Sequence, residues 1–528
     1  MIPQRFYQNH YPNRHNSPIL REEKRGSSMQ LEEKTIAELQ AAMTEGQISA
    51  RQLAQMYIER IYVLDRDGPK LNSVLEINPD ALRIAEELDR ERATTGPRGP
   101  LHGIPILLKE NIATTDSMQT TAGSLALLGS RPPRDAFVVQ KLREAGAVIL
   151  GKANLSEWAN FRSTHSSSGW SARGGQCRNP YVLDRTPCGS SSGSAVAIAA
   201  NLAAVSLGTE TDGSILCPAT KNGIVGIKPT VGLTSRAGVI PIAHSQDTVG
   251  PFGRCVADAA AVLGVLVGVD QHDSATEASE GKYYHDYTQF LNADGLRGAR
   301  LGVCRQVYFG YSPRSDEIAN MAIKQMQDLG AIIVDPADIP TAQQMSSSQS
   351  ELTVLLYEFK ADLNKYLSEL VSTPVRTLEE IIAFNNAHAD EELRYFGQEH
   401  FLEAQATSSL DDPAYLAALA ENQRLSRQEG IDAIMDEHNL DALIMPTGSP
   451  AWCIDLVNGD HHMGGSSQPA ALAGYPAISV PAGFAFGLPV GITFMGRAFS
   501  EPTLIKLAHA FEQGTKARRP PQFLPSLR

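Results

Sequence analysis

The chain has 528 residues, a formal net charge of −13, and 42% apolar and 20% charged residues, an ordinary globular make-up with enough apolar mass for a sizeable core. That charge repels nucleic acid on average and argues against a sequence-independent phosphate-binding role. No membrane span is expected, because the best apolar run, Ala195 to Leu207, is short and carries Asn201.

Residues 1–28 hold Arg, Asn, Pro and His without an apolar stretch, so they read not as a secretory signal but as a disordered tail or a start site placed too early, with Met29 as the real start. Thr35-Ile-Ala-Glu38 and Ser49-Ala-Arg-Gln52 are capping boxes ahead of amphipathic runs. Pro79 to about Thr94 reads as a further helix. Ile104–Leu108 and Ala147–Leu150 read as buried strands, with a helix over 135–145 between them. Ala195 to Ala204 is a small-residue helix. Residues 270–298 read as loop, and 299–334 as one strand–helix–strand unit. A mostly helical insertion follows over about 350–440. Strands are expected at 442–445, 477–480 and 490–494, and a closing helix at 501–513. The pattern gives an α/β fold: a large central sheet with helices on both faces.

The six cysteines, Cys177, Cys188, Cys217, Cys255, Cys304 and Cys453, form no CxxC pair. They read as reduced thiols in a cytoplasmic protein, with no metal site and no cofactor signalled.

Three motifs invite a function and fail on context. Gly146 to Lys152 fits the start of a phosphate-binding loop but has Ala153 where a metal-binding hydroxyl belongs. Gly189-Ser190-Ser191-Ser192-Gly193 matches a nucleophile elbow centred on Ser191, yet Pro and two charges precede it instead of an apolar strand. Asp460-His461-His462 has no third ligand at a useful spacing and reads as a solvated loop.

A stronger constellation spans three other segments. Lys109 directly follows an apolar strand, where a charged amine is costly to bury and must reach water, pair, or lose its proton. Cys188-Gly-Ser190-Ser-Ser-Gly-Ser194 leads straight into the small-residue helix. Gly208-Thr-Glu-Thr211-Asp-Gly-Ser214 is a turn whose backbone N–H groups can converge on a developing oxyanion, with the Ser214 hydroxyl at its end. No histidine or acid pairs with Ser214 in the pattern. A serine nucleophile needs a base, and a buried, neutral lysine can serve.

Taken with Thr120-Thr-Ala-Gly-Ser124, Gly151-Lys-Ala-Asn154, Gly226-Ile-Lys-Pro-Thr230, Pro446-Thr and Gly474 to Pro481, these motifs resemble the amidase signature enzymes, in order along nearly the whole chain after residue 30. The resemblance implies a single large fold over 29–528, with a signature core over about 100–270, and a Ser–Ser–Lys triad. Lys109 would be the base, Ser190 the relay after a cis peptide bond, and Ser214 the acylated nucleophile. The N–H groups of Thr211, Asp212, Gly213 and Ser214 would form the oxyanion hole, and Ser191 would be a neighbour.

Cys188, Ser192 and Asp212 stand where the family commonly has glycine. These departures, with Gly169 to Gln176 and Ser245 to Pro251, look most like the peptide amidase branch, which removes C-terminal amides from peptides. The expected substrate is thus a peptide or other small amide, hydrolysed without a cofactor and without nucleic-acid or membrane partners. The rivals are the glutaminase subunit of a tRNA-dependent amidotransferase, a non-enzymatic binding protein on the same fold, and an esterase using Ser191.

Overall fold

A computed structural model describes residues 30–527. The expected N-terminal tail, residues 1–28, and the expected start at Met29 therefore lie outside the described residues. One mixed sheet of eleven strands organises the chain. In sequence order the strands are β1 (Val74–Ile77), β2 (Pro105–Lys109), β3 (Val148–Ala153), β4 (Trp170–Ser171), β5 (Gly175–Gln176), β6 (Val205–Glu210), β7 (Val225–Lys228), β8 (Thr248–Gly253), β9 (Arg300–Val303), β10 (Ile332–Val334), β11 (Ala442–Pro446), β12 (Ala477–Ala485) and β13 (Leu488–Met495). β4 and β5 form a separate hairpin, and the large sheet runs β1-β3-β2-β6-β8-β7-β12-β13-β11-β9-β10.

β2 is parallel to β3 and β6, while β6, β8, β7 and β12 alternate in direction. β9 and β10 are parallel around the helix Pro313–Asp328, the expected strand–helix–strand unit. Successive side chains on a strand face opposite ways, and both faces are covered. Ala442 and Ile444 pack with the helices Val256–Leu266 and Glu501–Thr515, whereas Leu443 and Met445 pack with the helices Ala342–Ser347 and Gln468–Ala473. Burying both faces makes the central strands apolar or small throughout.

Both capping boxes are present, at Thr35–Glu38 and Ser49–Gln52. Helices fill most of 342–438, as the periodicity predicts. The small-residue helix begins and ends earlier than expected, at Ser192–Ala199, and all eight of its residues are buried. Its close fit on the sheet has a specific cause: a Cβ on Gly208 of β6 would lie 2.5 Å from the Phe252 ring and 2.7 Å from Ser191 Oγ. Among the described residues, no helix is long and apolar enough to cross a membrane.

The cysteine reading is corrected. Cys188 and Cys217 form a disulfide across 29 residues, and Cys177, Cys255, Cys304 and Cys453 are free. The pairing has no motif spacing because the fold, not local sequence, brings the two loops together. With it goes the argument from reduced thiols to a reducing compartment.

Candidate active site

β2 and β6 lie side by side and deliver Lys109 and Thr209 to the same point. Lys109 is completely buried. Its Nζ donates to Ser190 Oγ at 2.8 Å, Thr209 Oγ1 at 2.8 Å and Thr209 O at 3.2 Å. Asn111 Nδ2 also donates to Thr209 Oγ1, at 3.0 Å. None of these contacts is a carboxylate, so desolvation dominates and pushes the amine down to about 7, against the weaker pull of Asp247 and Glu210.

Ser190 follows a cis Gly189–Ser190 peptide bond, as the resemblance implied. It is wholly buried, and Ser156 N–H donates to its carbonyl at 3.0 Å. Ser191, the elbow candidate, is buried as well. Its hydroxyl donates to Thr209 O at 3.0 Å and accepts from Thr209 N–H at 3.2 Å, which fastens the start of the helix to β6. Ser191 N–H donates to Ser214 O at 3.2 Å. That bond and the Cys188–Cys217 disulfide tie the two serine-bearing segments together.

The turn carrying Ser214 is shaped by two buried carboxylates. Glu210 accepts the N–H groups of Ile215 and Leu216 at 2.6 and 2.9 Å, which sends the chain into the helix Leu216–Lys221. Asp247 accepts from the Thr211 hydroxyl at 2.5 Å and from the N–H groups of Ile242 and Ala243. Burial raises both acids, Asp247 to about 6. Gly213 takes φ of 78°, and a Cβ there would press on Ser467 Oγ at 2.9 Å, so the position needs glycine. Among the described residues, none accepts a hydrogen bond from the N–H groups of Asp212, Gly213 or Ser214. These donors remain available to a ligand.

Ser214 opens into a cavity of about 330 Å³, together with Gly189, Thr211, Asp212, Gly213, Trp452 and Asp460. Its disulfide wall is Cys188 and Cys217, and Leu355 of the helix Ser350–Glu369 closes one side. Glu358 holds that helix in place by accepting from Ser245 N–H and Oγ, each at 2.9 Å, and from the Tyr415 hydroxyl at 2.8 Å. A larger depression, of about 850 Å³, lies on the outer surface of the helix Pro313–Asp328 and holds none of the candidate residues.

Lys109, Ser190 and the 211–214 turn are thus brought to one place. The rejected motifs fall elsewhere or into other roles. Lys152 is buried within β3 rather than in a loop and donates to Ile112 O and Thr120 Oγ1. His461 is exposed in a loop, although His462 reaches the cavity wall. Trp452 lines the cavity, whereas Tyr475 lies away from it and donates to Asp432. Among the described residues, one trio could offer ligand atoms to a metal: His244, Glu358 and Asp362. Their side chains already pair with one another and with backbone N–H groups outside the cavity.

Thr209, Asp247 and Glu351 were not singled out by the sequence reading. Thr209 and Asp247 lie inside motifs that it quoted, whereas Glu351 comes from the helical insertion with no motif to mark it.

A family model described as Amidase matches residues 52–505. The chain belongs to the amidase family. It is 48% identical over 505 residues to a probable amidase of Arabidopsis thaliana, covering 94% of this chain and 93% of that one. Among solved structures, the peptide amidase of Stenotrophomonas maltophilia matches with a TM-score of 0.89 and 53% identity, covering 93% of this chain and 99% of that one. The same coverage and identity hold for the peptide amidase in complex with the competitive inhibitor chymostatin, at a TM-score of 0.90. A glutamyl-tRNA(Gln) amidotransferase subunit from Thermoanaerobacter pseudethanolicus is 35% identical over 518 residues, covering 95% of this chain and 100% of that one. This amidase is an amide hydrolase with a large α/β fold around a mixed sheet.

Proposed function

We propose that this amidase hydrolyses linear carboxamides through an acyl-enzyme, with C-terminally amidated peptides as substrates. The observation that carries the mechanism is the contact with Ser190 of a buried Lys109 whose amine desolvation pushes down to about 7. When the amine is neutral, its two N–H bonds fit Thr209 O and Oγ1, and its lone pair is left for the Ser190 hydroxyl proton. Ser190 then takes the proton of Ser214 as Ser214 Oγ attacks the amide carbon. The N–H groups of the 211–214 turn stabilise the oxyanion. On collapse, the proton returns through Ser190 to the leaving nitrogen, ammonia departs, and water attacks the Ser214 ester by the same relay. None of these steps calls on a cofactor.

Substrate class rests on the 53% identity to peptide amidase structures, well above the 35% to the amidotransferase protein. Ammonia release from a panel of peptide amides, fatty amides, aryl amides and glutamine tests it. Peptide amides are expected to give the highest kcat/KM, and preference for glutamine would overturn the assignment.

A further inference from the structure

We propose that Asp212 is a specificity-determining residue that makes the cavity accept a neutral carboxamide and reject the carboxylate that hydrolysis leaves behind. This deepens the peptide-amide reading above and rests on it.

Asp212 stands two residues before Ser214 and lines the same cavity. Its side chain is exposed, and the carboxyl meets solvent through the cavity. Ser467, on the same cavity wall, and Glu351 both act on that carboxyl. Glu351 in turn accepts from the side-chain amides of Gln246, at 3.1 Å, and Gln468, at 2.9 Å. Two neighbouring carboxyls in one site disfavour a second negative charge, so the pair tends to share a proton. Burial and the Asp212 charge push Glu351 up to about 8, so near neutral pH it keeps its proton; desolvation raises Asp212 too, while Ser467, Glu351 and Lys228 pull it back down. The pair holds one negative charge at the wall beside the nucleophile.

Among the described residues lining the cavity there is no lysine or arginine, and Asp460 adds a second carboxylate. His462 is neutral, pushed down to about 4 by desolvation and by Lys221. Lys228, the cation that acts on Asp212, is buried behind the turn and donates to Pro229 O and Tyr475 O. Lys109 sits below Ser190, close to Asp247 and Glu210, both engaged by backbone N–H groups.

A primary carboxamide is neutral and brings two N–H donors that a carboxylate can accept. The product acid carries its charge on the atoms that sit against Ser214 and its turn. Like charges a few ångströms apart in such a site cost enough to weaken binding by about tenfold to a hundredfold. The same charge also opposes a developing oxyanion, a cost the glycine more common in the family avoids. Selection against the acid is what the aspartate adds: product leaves, and unamidated peptides do not compete.

The test is calorimetric titration of a Ser214→Ala protein with one peptide amide and with the matching peptide acid. The amide should bind at least about tenfold tighter than the acid. Adding Asp212→Asn or Asp212→Gly should close the gap to within about threefold, whereas Glu351→Gln, whose amide N–H can donate to Asp212, should keep it. Equal affinities in the Ser214→Ala protein, or a gap that survives loss of the Asp212 carboxylate, would overturn the selection while leaving the amidase reading intact. Binding of neither peptide would instead overturn the peptide-amide substrate class, and the proposal with it.

Discussion

Lys109 at the end of β2 and Lys152 on β3 lie in adjacent parallel strands, with Lys152 in register with Leu108, and both are completely buried. Burial pushes both amines down, Lys109 to about 7 and Lys152 to about 8. Their surroundings differ. Lys152 stands beside Glu110, within a set of charges that includes Arg173 and Glu76. Its other partners are the Ile112 carbonyl and the Thr120 hydroxyl, and Thr120 does not line the cavity. Lys109 touches two hydroxyls and a carbonyl, and one hydroxyl, Ser190, lies on the loop that borders the cavity. Desolvation makes an amine available as a base, and in the proposed mechanism a hydroxyl path through Ser190 to Ser214 gives Lys109 its work. A lysine placed among carboxylates serves the fold instead.

Substitution of each lysine breaks that comparison most directly. Ser214→Ala and Lys109→Met are expected to lower kcat by about 10⁴-fold or more, with the fold kept by circular dichroism. Lys152→Met should instead lower unfolding free energy by about 2–4 kcal/mol in urea titrations, with kcat/KM within about tenfold of wild type. Loss of activity in Lys152→Met without loss of stability would erase the distinction between the two sites.

The serine pair sharpens the comparison at the next link. Ser190→Ala should cost about 10³-fold in kcat, and Ser191→Ala less than about tenfold, because the Ser191 hydroxyl bonds only to the Thr209 backbone. The reverse order would restore the elbow reading.

A pH series probes Lys109 itself. The neutral amine is the active form, so kcat/KM should be level above pH about 7 and fall about tenfold per unit below it. A limb set by Asp247, raised to about 6 by burial, would lie about one unit lower.

The smallest effect on turnover is expected from the disulfide. Reducing a bond that spans 29 residues removes about 3–4 kcal/mol of chain-entropy stabilisation, read as a lower Tm, while the Ser191–Ser214 backbone bond keeps the two segments in register. Inactivation with an unchanged Tm would mean that the disulfide aligns the serines.

Much of the site could be read from the sequence because its groups sit within ordered local motifs. An amine after the apolar β2 and a hydroxyl after a glycine-containing turn each announce a cost that function can explain. The strands β6, β7 and β8 escaped notice for a physical reason. Val205–Glu210, Val225–Lys228 and Thr248–Gly253 are buried on both faces and contain Gly, Thr and Pro, so neither alternation nor a long apolar run marks them. The Cys188–Cys217 pair and the Asp212–Glu351 contact escaped as well, since both join residues that only the folded sheet and the docked helix bring together.

The central claim is that Lys109 deprotonates Ser214 through Ser190. Its most direct test is the rate at which a neutral fluorophosphonate labels the enzyme as pH is varied, with the adduct located by peptide mass mapping. The account predicts an adduct on Ser214, a rate that rises through pH about 7, and its loss in Lys109→Met. An adduct on Ser191, or labelling of Ser214 at a rate indifferent to pH and to Lys109, would contradict it.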